Sequence, residues 1–363
     1  MDLLSNHREP LCDYPWKDDA ERLIQWVKPK DRHYHAFIFD VCMSLAYIDT
    51  SRNLENSVEH CPNCPDDFNG HLGFINLCSP CYELGEVWQY QQAAKPSSGA
   101  LGKLSSEIIL KFVEIIFDDI VDTFAIGGSG IADAFLKFAD GSQAFAEVKS
   151  APLLTYPVLV KFKQAKHKHV GHNLTSSQFK LLPSAMYMHD GNYIDMGQIK
   201  SEGWPFKGIV DYFLSSKKEE TDKLLETWLK TRSAYRDKDR NSPYYYLANA
   251  SGAPPKVAKD EHNWPVKASI SDGKTSAGID RTDDIKKGIY QTMKIGAKYF
   301  DIGSVKSALI SNLPAYRHGE EYIEPFMTAV WGREADFEIK DGESFLSKRN
   351  TRKVFDYFIT LDE

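Results

Sequence analysis

The chain has 363 residues, of which 42% are hydrophobic and 26% are charged, an ordinary balance for a globular protein with a large core. The formal net charge is -7, so the overall charge does not indicate a nucleic-acid partner, although a local basic stripe can still bind phosphates. The longest apolar stretch, AFIFDVCMSLAYI, is too short to span a bilayer and contains Asp40.

The first ten residues, MDLLSNHREP, do not have the basic start and apolar core of a signal peptide. We therefore expect a cytoplasmic protein. The six cysteines should then be reduced thiols or metal ligands, because disulfides are rare in that compartment.

The N-terminal region, residues 1–100, contains all six cysteines and ends in a linker-like segment, AAKPSSGALG. Two C-x-x-C pairs, separated by 13 residues, each aim two thiolates at one point and together complete a tetrahedron. The pattern predicts a structural Zn²⁺ site with no open coordination position. Iron in a similar sulfur cage is the alternative metal, and a redox pair or chance spacing is the alternative to a metal site. The metal ligands would be Cys61, Cys64, Cys78 and Cys81. Cys12 and Cys42 lack this spacing and are expected to be core thiols, with His33 and His35 as weaker candidates for a second site.

A helix is predicted over residues 104–121, where apolar residues recur at helical spacing and Ser105 or Ser106 could cap the start. Two strands, GIADAFLKF and SQAFAEVKS, follow around the turn Asp140-Gly141, which is a strong signal for a hairpin.

The hairpin brings together three charged residues. Asp133 and Glu147 lie at the ends of the two strands, and Lys149 lies two residues beyond Glu147 and so on the same face. Two carboxylates at one place repel each other unless a cation joins them. Mg²⁺ prefers oxygen ligands and is typically held by one or two carboxylates together with a substrate phosphate. The pattern therefore predicts a Mg²⁺ site for phosphoryl chemistry, in which the lysine orients water or stabilises the phosphate. The alternative is a surface hairpin with incidental charges.

A basic segment follows directly, since the chain has no Asp or Glu from Val148 to His189. This segment could neutralise DNA phosphates. Alternatively, its histidines could bind a metal ion, or the segment could be a solvated basic loop. The candidate DNA-binding residues are Lys161, Lys163, Lys166 and Lys168.

Residues 151–280 are expected to be largely irregular, with one charged helix at 217–235. A helix over 281–300, capped by Thr282 or Asp283, a strand at 305–313, a short helix at 321–331 and a final strand at 352–361 complete the chain. This order predicts an α/β fold with a mixed sheet flanked by helices. Gln291 could face the site from the helix, but a solvated polar face is the more ordinary interpretation.

The D-x(n)-E-x-K pattern of Asp133, Glu147 and Lys149 resembles the PD-(D/E)xK nuclease superfamily, and the order of helix, hairpin, helix, strand and helix is similar to the core of that family. Ala132 stands where the proline of the motif would be. The resemblance implies a restriction-endonuclease-like fold for residues 101–363 with an insertion at about 151–280. It also implies Asp133 and Glu147 as Mg²⁺ ligands and Lys149 as the residue that positions water.

The glycine-rich segment AIGGSGI lacks the G-K-[ST] ending of a P-loop, and no G-x-S-x-G elbow is present, so neither ATP-driven translocation nor serine hydrolysis is supported. We therefore expect a Mg²⁺-dependent, sequence-specific endonuclease that cleaves double-stranded DNA as a homodimer and most resembles a type II restriction enzyme. A repair or mobile-element nuclease is the near alternative, and a non-catalytic zinc-ribbon DNA-binding regulator is the alternative from another class.

Overall fold

The structure is a computed structural model. It describes residues 15–51, 58–59, 69–72, 98–127, 132–156, 158–162, 179–190, 192–198, 201–248, 277–299, 305–333, 337–346 and 351–363.

The described helices are α1 (Lys17–Val27), α2 (Arg32–Ser51), α3 (Ser98–Ile116), α4 (Phe206–Ser215), α5 (Lys218–Arg236), α6 (Thr282–Lys298), α7 (Gly319–Tyr322) and α8 (Glu324–Met327), with a 3-10 turn at Pro243–Leu247. The described strands are β1 (Val58–Glu59), β2 (Asn69–Leu72), β3 (Ile120–Ala125), β4 (Ala134–Phe138), β5 (Gln143–Val148), β6 (Val158–Phe162), β7 (Phe179–Tyr187), β8 (Tyr193–Gly197), β9 (Val305–Ser311), β10 (Val330–Trp331), β11 (Phe337–Lys340), β12 (Glu343–Leu346), β13 (Arg352–Lys353) and β14 (Tyr357–Thr360).

The described residues divide into two compact units. The first unit contains residues 109–150 and 278–363, and the second contains residues from 12–108 and 151–277. The long insertion therefore groups with the N-terminal region, and the division between the units falls within α3 rather than at the linker-like segment near residue 100. Nothing in the local sequence pattern indicated that grouping.

A five-stranded mixed sheet, in the order β14-β9-β5-β4-β3, forms the centre of the first unit. Strands β3, β4 and β5 are antiparallel, whereas β9 runs parallel to both β5 and β14. A parallel neighbour requires a crossover, and the chain returns through α6, which packs against β5 and β9. The predicted α/β class with a mixed sheet and flanking helices is confirmed.

The predicted hairpin is also confirmed, and its turn explains why it forms. Gly141 has φ +83°, which a glycine adopts without steric cost, and the Phe138 amide donates to the Ser142 carbonyl at 3.0 Å. The Asp140 carboxylate accepts a bond from the Ser142 amide at 2.8 Å. Beyond the turn, Leu136, Ala144, Phe145 and Ala146 are buried, so one register is strongly favoured.

Helix α6 lies close to the sheet because of one small residue. A Cβ added at Gly288 would approach Leu309 Cδ1 to 3.0 Å, so a larger residue would push the helix away from β9. At its other end the helix packs Ile295 against Phe145 and Val305. The predicted capping by Thr282 or Asp283 is wrong: Arg281 precedes the first turn and makes no side-chain cap, while the acidic Asp283 and Asp284 suit the positive end of the helix.

In the second unit, β1-β2-β6-β7-β8 form a sheet, and α1, α2, α4 and α5 are its main helices. The prediction that residues 151–280 are largely irregular is wrong, because the described part contains three strands and two long helices. Asp40, inside the apolar stretch of α2, is fully buried and accepts bonds from the amides of Leu153 (3.2 Å) and Leu154 (3.0 Å) and from Trp228 Nε1 (2.8 Å). This carboxylate anchors α2 to a distant segment, which is why it is tolerated in an apolar helix.

Three smaller predictions need correction. The helix predicted from 104 begins at Ser98, so Ser105 lies inside it and bonds back to the Gly102 carbonyl at 3.0 Å. The segment 321–331 forms single-turn helices and a short strand, because Pro325 and few buried residues leave no continuous helical face. The predicted final strand is divided into β13 and β14, since Val354 and Phe355 pack into the core between them.

Candidate active site

The two candidate carboxylates lie opposite each other on neighbouring strands. Strand β4 pairs with β5 so that Ala134 is opposite Ala146, and the Asp133 amide continues the ladder by donating to the Ala146 carbonyl at 3.0 Å. Asp133 therefore precedes β4 at the level of Glu147, one residue before the end of β5. The sequence prediction that the hairpin brings these residues together is confirmed.

The backbone holds Asp133 in place. Its Oδ2 accepts a hydrogen bond from the Val148 amide at 3.0 Å. This amide is at the end of β5, and the bond both satisfies the amide and orients the carboxylate. About 43% of the Asp133 side chain remains exposed, which leaves this carboxylate accessible to a ligand.

Glu147 differs from Asp133 in burial. Only 8% of its side chain is exposed. Burial raises the pKa of Glu147 from 4.5 to about 7, and the negative charge of Asp133 adds to the effect. A carboxyl group with this pKa exchanges its proton near neutral pH, as acid–base and metal-binding groups do.

Lys149 bridges the two acids. Its Nζ lies 2.5 Å from Glu147 Oε1 and 3.6 Å from Asp133 Oδ2, so Glu147 and Lys149 share one face of the strand as predicted. Burial acts to lower the pKa of Lys149, but the charges of Glu147 and Asp133 outweigh it and the pKa is raised. The ammonium group is therefore charged at neutral pH and, within the described residues, is the cation that pairs with both carboxylates.

The sequence analysis did not identify Asp284, which belongs to the same neighbourhood. Its charge is among those that raise the pKa of Lys149. It lies in the first turn of α6, one turn before Gly288, which contacts the strand position opposite Glu147. The signal was an acidic pair at the start of a helix, but 135 residues separate Lys149 from Asp284 and no local pattern connects them.

The sequence analysis also missed a second group of charged residues. It joins Asp280, just before α6, to Arg317 and His318, which lie beyond the end of β9. The carboxylate of Asp280 is fully buried and pairs with the Arg317 Nε at 3.2 Å and with His318 Nδ1 at 3.1 Å. Because β9 runs parallel to β5, the chain that follows β9 starts from the same edge of the sheet as Lys149, whose amide donates to the Ile310 carbonyl at 2.9 Å.

Gln291 lies on α6, half-buried, three residues beyond Gly288 toward the end that packs on Phe145. Its suggested role remains a prediction.

The zinc ligands and most of the basic segment cannot be placed. The four candidate ligands Cys61, Cys64, Cys78 and Cys81 lie outside the described residues, as do Lys163, Lys166, Lys168 and Cys12. Within the described stretches, no group of three or more His, Cys, Asp or Glu side chains could hold a metal ion. Cys42 is a fully buried thiol whose pKa is raised by burial, as expected for a core cysteine.

Two further candidates lie in the second unit. Lys161 is in β6, where the register places it opposite Lys180 of β7 and Asn69 of β2. His35 is buried, with Nε2 3.3 Å from the Lys28 carbonyl, and burial lowers its pKa. A backbone partner of this kind is typical of a structural histidine.

The residues of the hairpin fit a hard cation. Asp133 and Glu147 are oxygen donors on adjacent strands, and Mg²⁺ characteristically takes only one or two protein carboxylates, completing its shell with water and phosphate. Burial is the main cause of the raised pKa of Glu147, and repulsion by the charge of Asp133, which Lys149 only partly offsets, adds to it. A divalent cation would relieve that repulsion more completely.

Comparisons with family models, with curated proteins and with solved structures found no match for this chain. Among the described helices, none combines the length and apolar character needed to cross a bilayer.

Proposed function

We propose that this protein is a Mg²⁺-dependent endonuclease that hydrolyses phosphodiester bonds in double-stranded DNA and resembles the type II restriction enzymes. One observation carries the proposal: a buried carboxylate, Glu147, is paired with a second carboxylate and a lysine at the end of a hairpin, and its pKa is about 7. An exposed ion pair would leave the carboxylate with an ordinary, low pKa, whereas burial is the main cause of the rise at Glu147. Perturbed groups clustered with a charge partner are typical of functional sites.

The order of elements supports a PD-(D/E)xK-like core. A helix, an antiparallel hairpin that carries the three charged residues, a crossover helix and a parallel strand follow one another as α3, β4-β5, α6 and β9. The similarity concerns both the motif and its position at the strand ends, so it is more specific than the motif alone.

Each residue has a distinct role in the proposed reaction. Asp133 and Glu147 would hold Mg²⁺, which when bound activates the phosphodiester group as a Lewis acid. Asp133 is presented by the Val148 amide and remains partly exposed, so it is accessible from solvent. Lys149 would orient the attacking water and offset the charge that develops on the phosphate.

The basic segment would hold the DNA. The strand register places the backbone positions of Lys161 and Lys180 opposite each other, so two basic residues of this segment are neighbours across the sheet. Contacts from basic residues to phosphates would fix the position of a duplex without reading its sequence. Zn²⁺ bound by the four cysteines would stabilise the N-terminal region. Cutting both strands of a symmetric site would require two copies related by a two-fold axis, so the homodimer belongs to the same proposal.

The test is incubation of the purified protein with supercoiled plasmid and Mg²⁺, beside an EDTA control. Asp133→Ala and Glu147→Ala should abolish cleavage but still bind duplex DNA in Ca²⁺, whereas Glu338→Ala, on an exposed hairpin, is a matched control that should cleave normally. Lys149→Ala should reduce kcat more than it weakens binding.

Near-normal cleavage by either carboxylate variant would reject the assignment of the site. If the wild-type protein binds DNA but does not cleave it under any Mg²⁺ or Mn²⁺ condition, a non-catalytic DNA-binding regulator becomes the better conclusion. Discrete fragments, as opposed to a smear, would indicate sequence-specific cleavage.

A further inference from the structure

Helix α6 is basic on the side that faces solvent. It packs on β5 and β9 through six buried residues, Ile285, Gly288, Ile289, Thr292, Ile295 and Gly296. After the two aspartates of its first turn, residues 285–300 contain four lysines and no acidic residue, although the whole chain has a net charge of -7. Solubility requires only interspersed charges of both signs, so this segregated positive surface indicates an anionic partner.

Three of the lysines lie in one line along the helix. Lys287, Lys294 and Lys298 follow one another at spacings of seven and four residues, which places them within about 40° of each other around the helix axis. All three are exposed, and Tyr290, which lies beside them, is 64% exposed. No carboxylate among the described residues pairs with Lys287 or Lys298. We call these three lysines and Tyr290 the α6 stripe.

The acidic groups around α6 do not neutralise the stripe. Asp283, at its N-terminal end, pairs with Arg281 at 3.7 Å, and Asp284 is close enough to the hairpin site for its charge to act there. The acidic residues of α7 lie on the other side of the helix, where Lys286 is placed over the ring of Tyr322 at 5.4 Å. The stripe therefore keeps a positive charge.

The stripe leads away from the hairpin site. Near the start of α6, a Cβ at Gly288 would meet Leu309, whose partner in the sheet is Glu147. Just after the end of α6, Tyr299 stacks on Phe145 with ring centroids 4.6 Å apart. The helix therefore begins at the edge of the sheet that carries the site and runs back along β5.

The length of the stripe is suited to a segment of duplex. Lys287 and Lys298 are 11 residues apart, and a rise of about 1.5 Å per residue makes the stripe about 16 Å long. Each strand of DNA has one phosphate per 3.4 Å of helix axis, so the stripe is as long as about five base pairs. Three ammonium groups over this length can each reach a phosphate of the backbone.

We propose that the α6 stripe binds the sugar–phosphate backbone of the duplex that extends from the cleaved bond, over about five base pairs on one side of the hairpin site. The inference rests on the proposed nuclease function and adds to it a DNA-binding surface in the unit that carries the site. Lysine ammonium groups and a tyrosine hydroxyl are donors that position a duplex through its phosphates. A lipid surface fits less well, because it would need an apolar helix face, and the apolar face of α6 is buried.

Two triple variants with the same change of charge test the stripe. Glutamine keeps each side chain long and polar and is a good helix former. The stripe variant combines three substitutions, Lys287→Gln, Lys294→Gln and Lys298→Gln. The control variant removes three exposed lysines of α4 and α5 that are interspersed with acidic residues, and it combines Lys207→Gln, Lys218→Gln and Lys223→Gln.

The measurement is fluorescence anisotropy of a labelled duplex of about 30 base pairs in Ca²⁺ at several salt concentrations, together with single-turnover plasmid cleavage in Mg²⁺ and thermal unfolding. For the stripe variant, we expect binding to weaken by about tenfold or more. The slope of the logarithm of its binding constant against the logarithm of the salt concentration should become shallower by up to about 2.7, since three phosphate contacts are lost. Its cleavage rate at saturating DNA and its melting temperature should not change, because the stripe does not contact the cleaved bond. The control variant should match the wild-type protein.

Three results would overturn the inference: an unchanged salt slope in the stripe variant, an equal loss in both triple variants, which would reflect net charge alone, or a fall in the cleavage rate at saturating DNA. A stripe variant that binds DNA normally but forms smaller assemblies in light scattering would make the stripe an interface between copies of the chain. Failure of the wild-type protein itself to bind duplex DNA would reject the proposed nuclease function, which is a different outcome from a variant that matches an active wild-type protein.

Discussion

Replacing Glu147 by glutamine should make the metal-free protein more stable while it abolishes cleavage. Burial and the neighbouring Asp133 raise the pKa of Glu147 from 4.5 to about 7. In the unfolded chain the carboxyl group loses its proton near pH 4.5, whereas in the folded protein it keeps the proton until about pH 7. The folded state is therefore penalised as the pH rises from 4.5 to 7, and the penalty is complete above pH 7.

The size of the penalty follows from the shift. One pKa unit corresponds to about 1.4 kcal/mol, so the shift of Glu147 costs the folded state about 3 kcal/mol at pH 8. Glutamine has nearly the same shape and no charge, so it removes this cost. Part of the gain will be cancelled, because Lys149 keeps only the more distant Asp133 at 3.6 Å as a partner. We expect Glu147→Gln to be more stable than the wild-type protein by about 1–3 kcal/mol at pH 8, and the difference to disappear near pH 4.5.

The assay is urea unfolding in EDTA at pH 8 and pH 4.5, followed by tryptophan fluorescence. Glu226→Gln is the matched control, since Glu226 is an exposed carboxylate paired with Lys230 at 2.8 Å, and such surface pairs contribute little to stability. A clear loss of stability of Glu147→Gln at pH 8 would refute the reasoning. It would mean that Glu147 and Lys149 form a stabilising ion pair, not a site held in a strained state for function.

Three further predictions concern other parts of the chain. Elemental analysis should find about one zinc per chain, and Cys64→Ser should destabilise the N-terminal region, because metal binding contributes folding free energy; metal-free but folded protein would contradict this. Alanine substitution of four lysines should weaken binding to all DNA sequences alike. The slope of the logarithm of the binding constant against the logarithm of the salt concentration should become shallower by up to about 0.9 for each phosphate that is no longer bound, as measured by titration at several salt concentrations. An unchanged slope would place the DNA elsewhere. These lysines are Lys161, Lys163, Lys166 and Lys168. Burial lowers the pKa of His189 from 6.5 to about 4. As the pH falls, the histidine of the unfolded chain is therefore protonated before that of the folded protein. The folded protein should lose about 3 kcal/mol of stability in total between pH 6.5 and pH 4. His189→Gln should lose less stability than the wild-type protein over that range in urea unfolding, and an identical pH dependence would contradict the prediction.

The hairpin site was predictable because all of its determinants are local. Alternating apolar residues and the turn at Asp140-Gly141 determine the pairing, and the pairing then brings Asp133 opposite Glu147. The two-residue spacing of Glu147 and Lys149 places both side chains on one face, which their 2.5 Å separation reflects. Burial of Glu147 was less predictable, since it depends on β9 and α6 covering β5.

The sequence by itself therefore determined the α/β class, the hairpin and the trio of charged residues, because strand alternation and a glycine turn act within about fifteen residues. Only the tertiary structure decided that β9 lies parallel to β5, that Asp284 acts on Lys149, and that Asp280 holds His318 across 38 positions of the chain. It also decided that the long insertion has strands and helices of its own and groups with the N-terminal region. Such contacts depend on crossover connections and on the packing of whole elements, and their free energy comes from burial between segments that no local pattern relates.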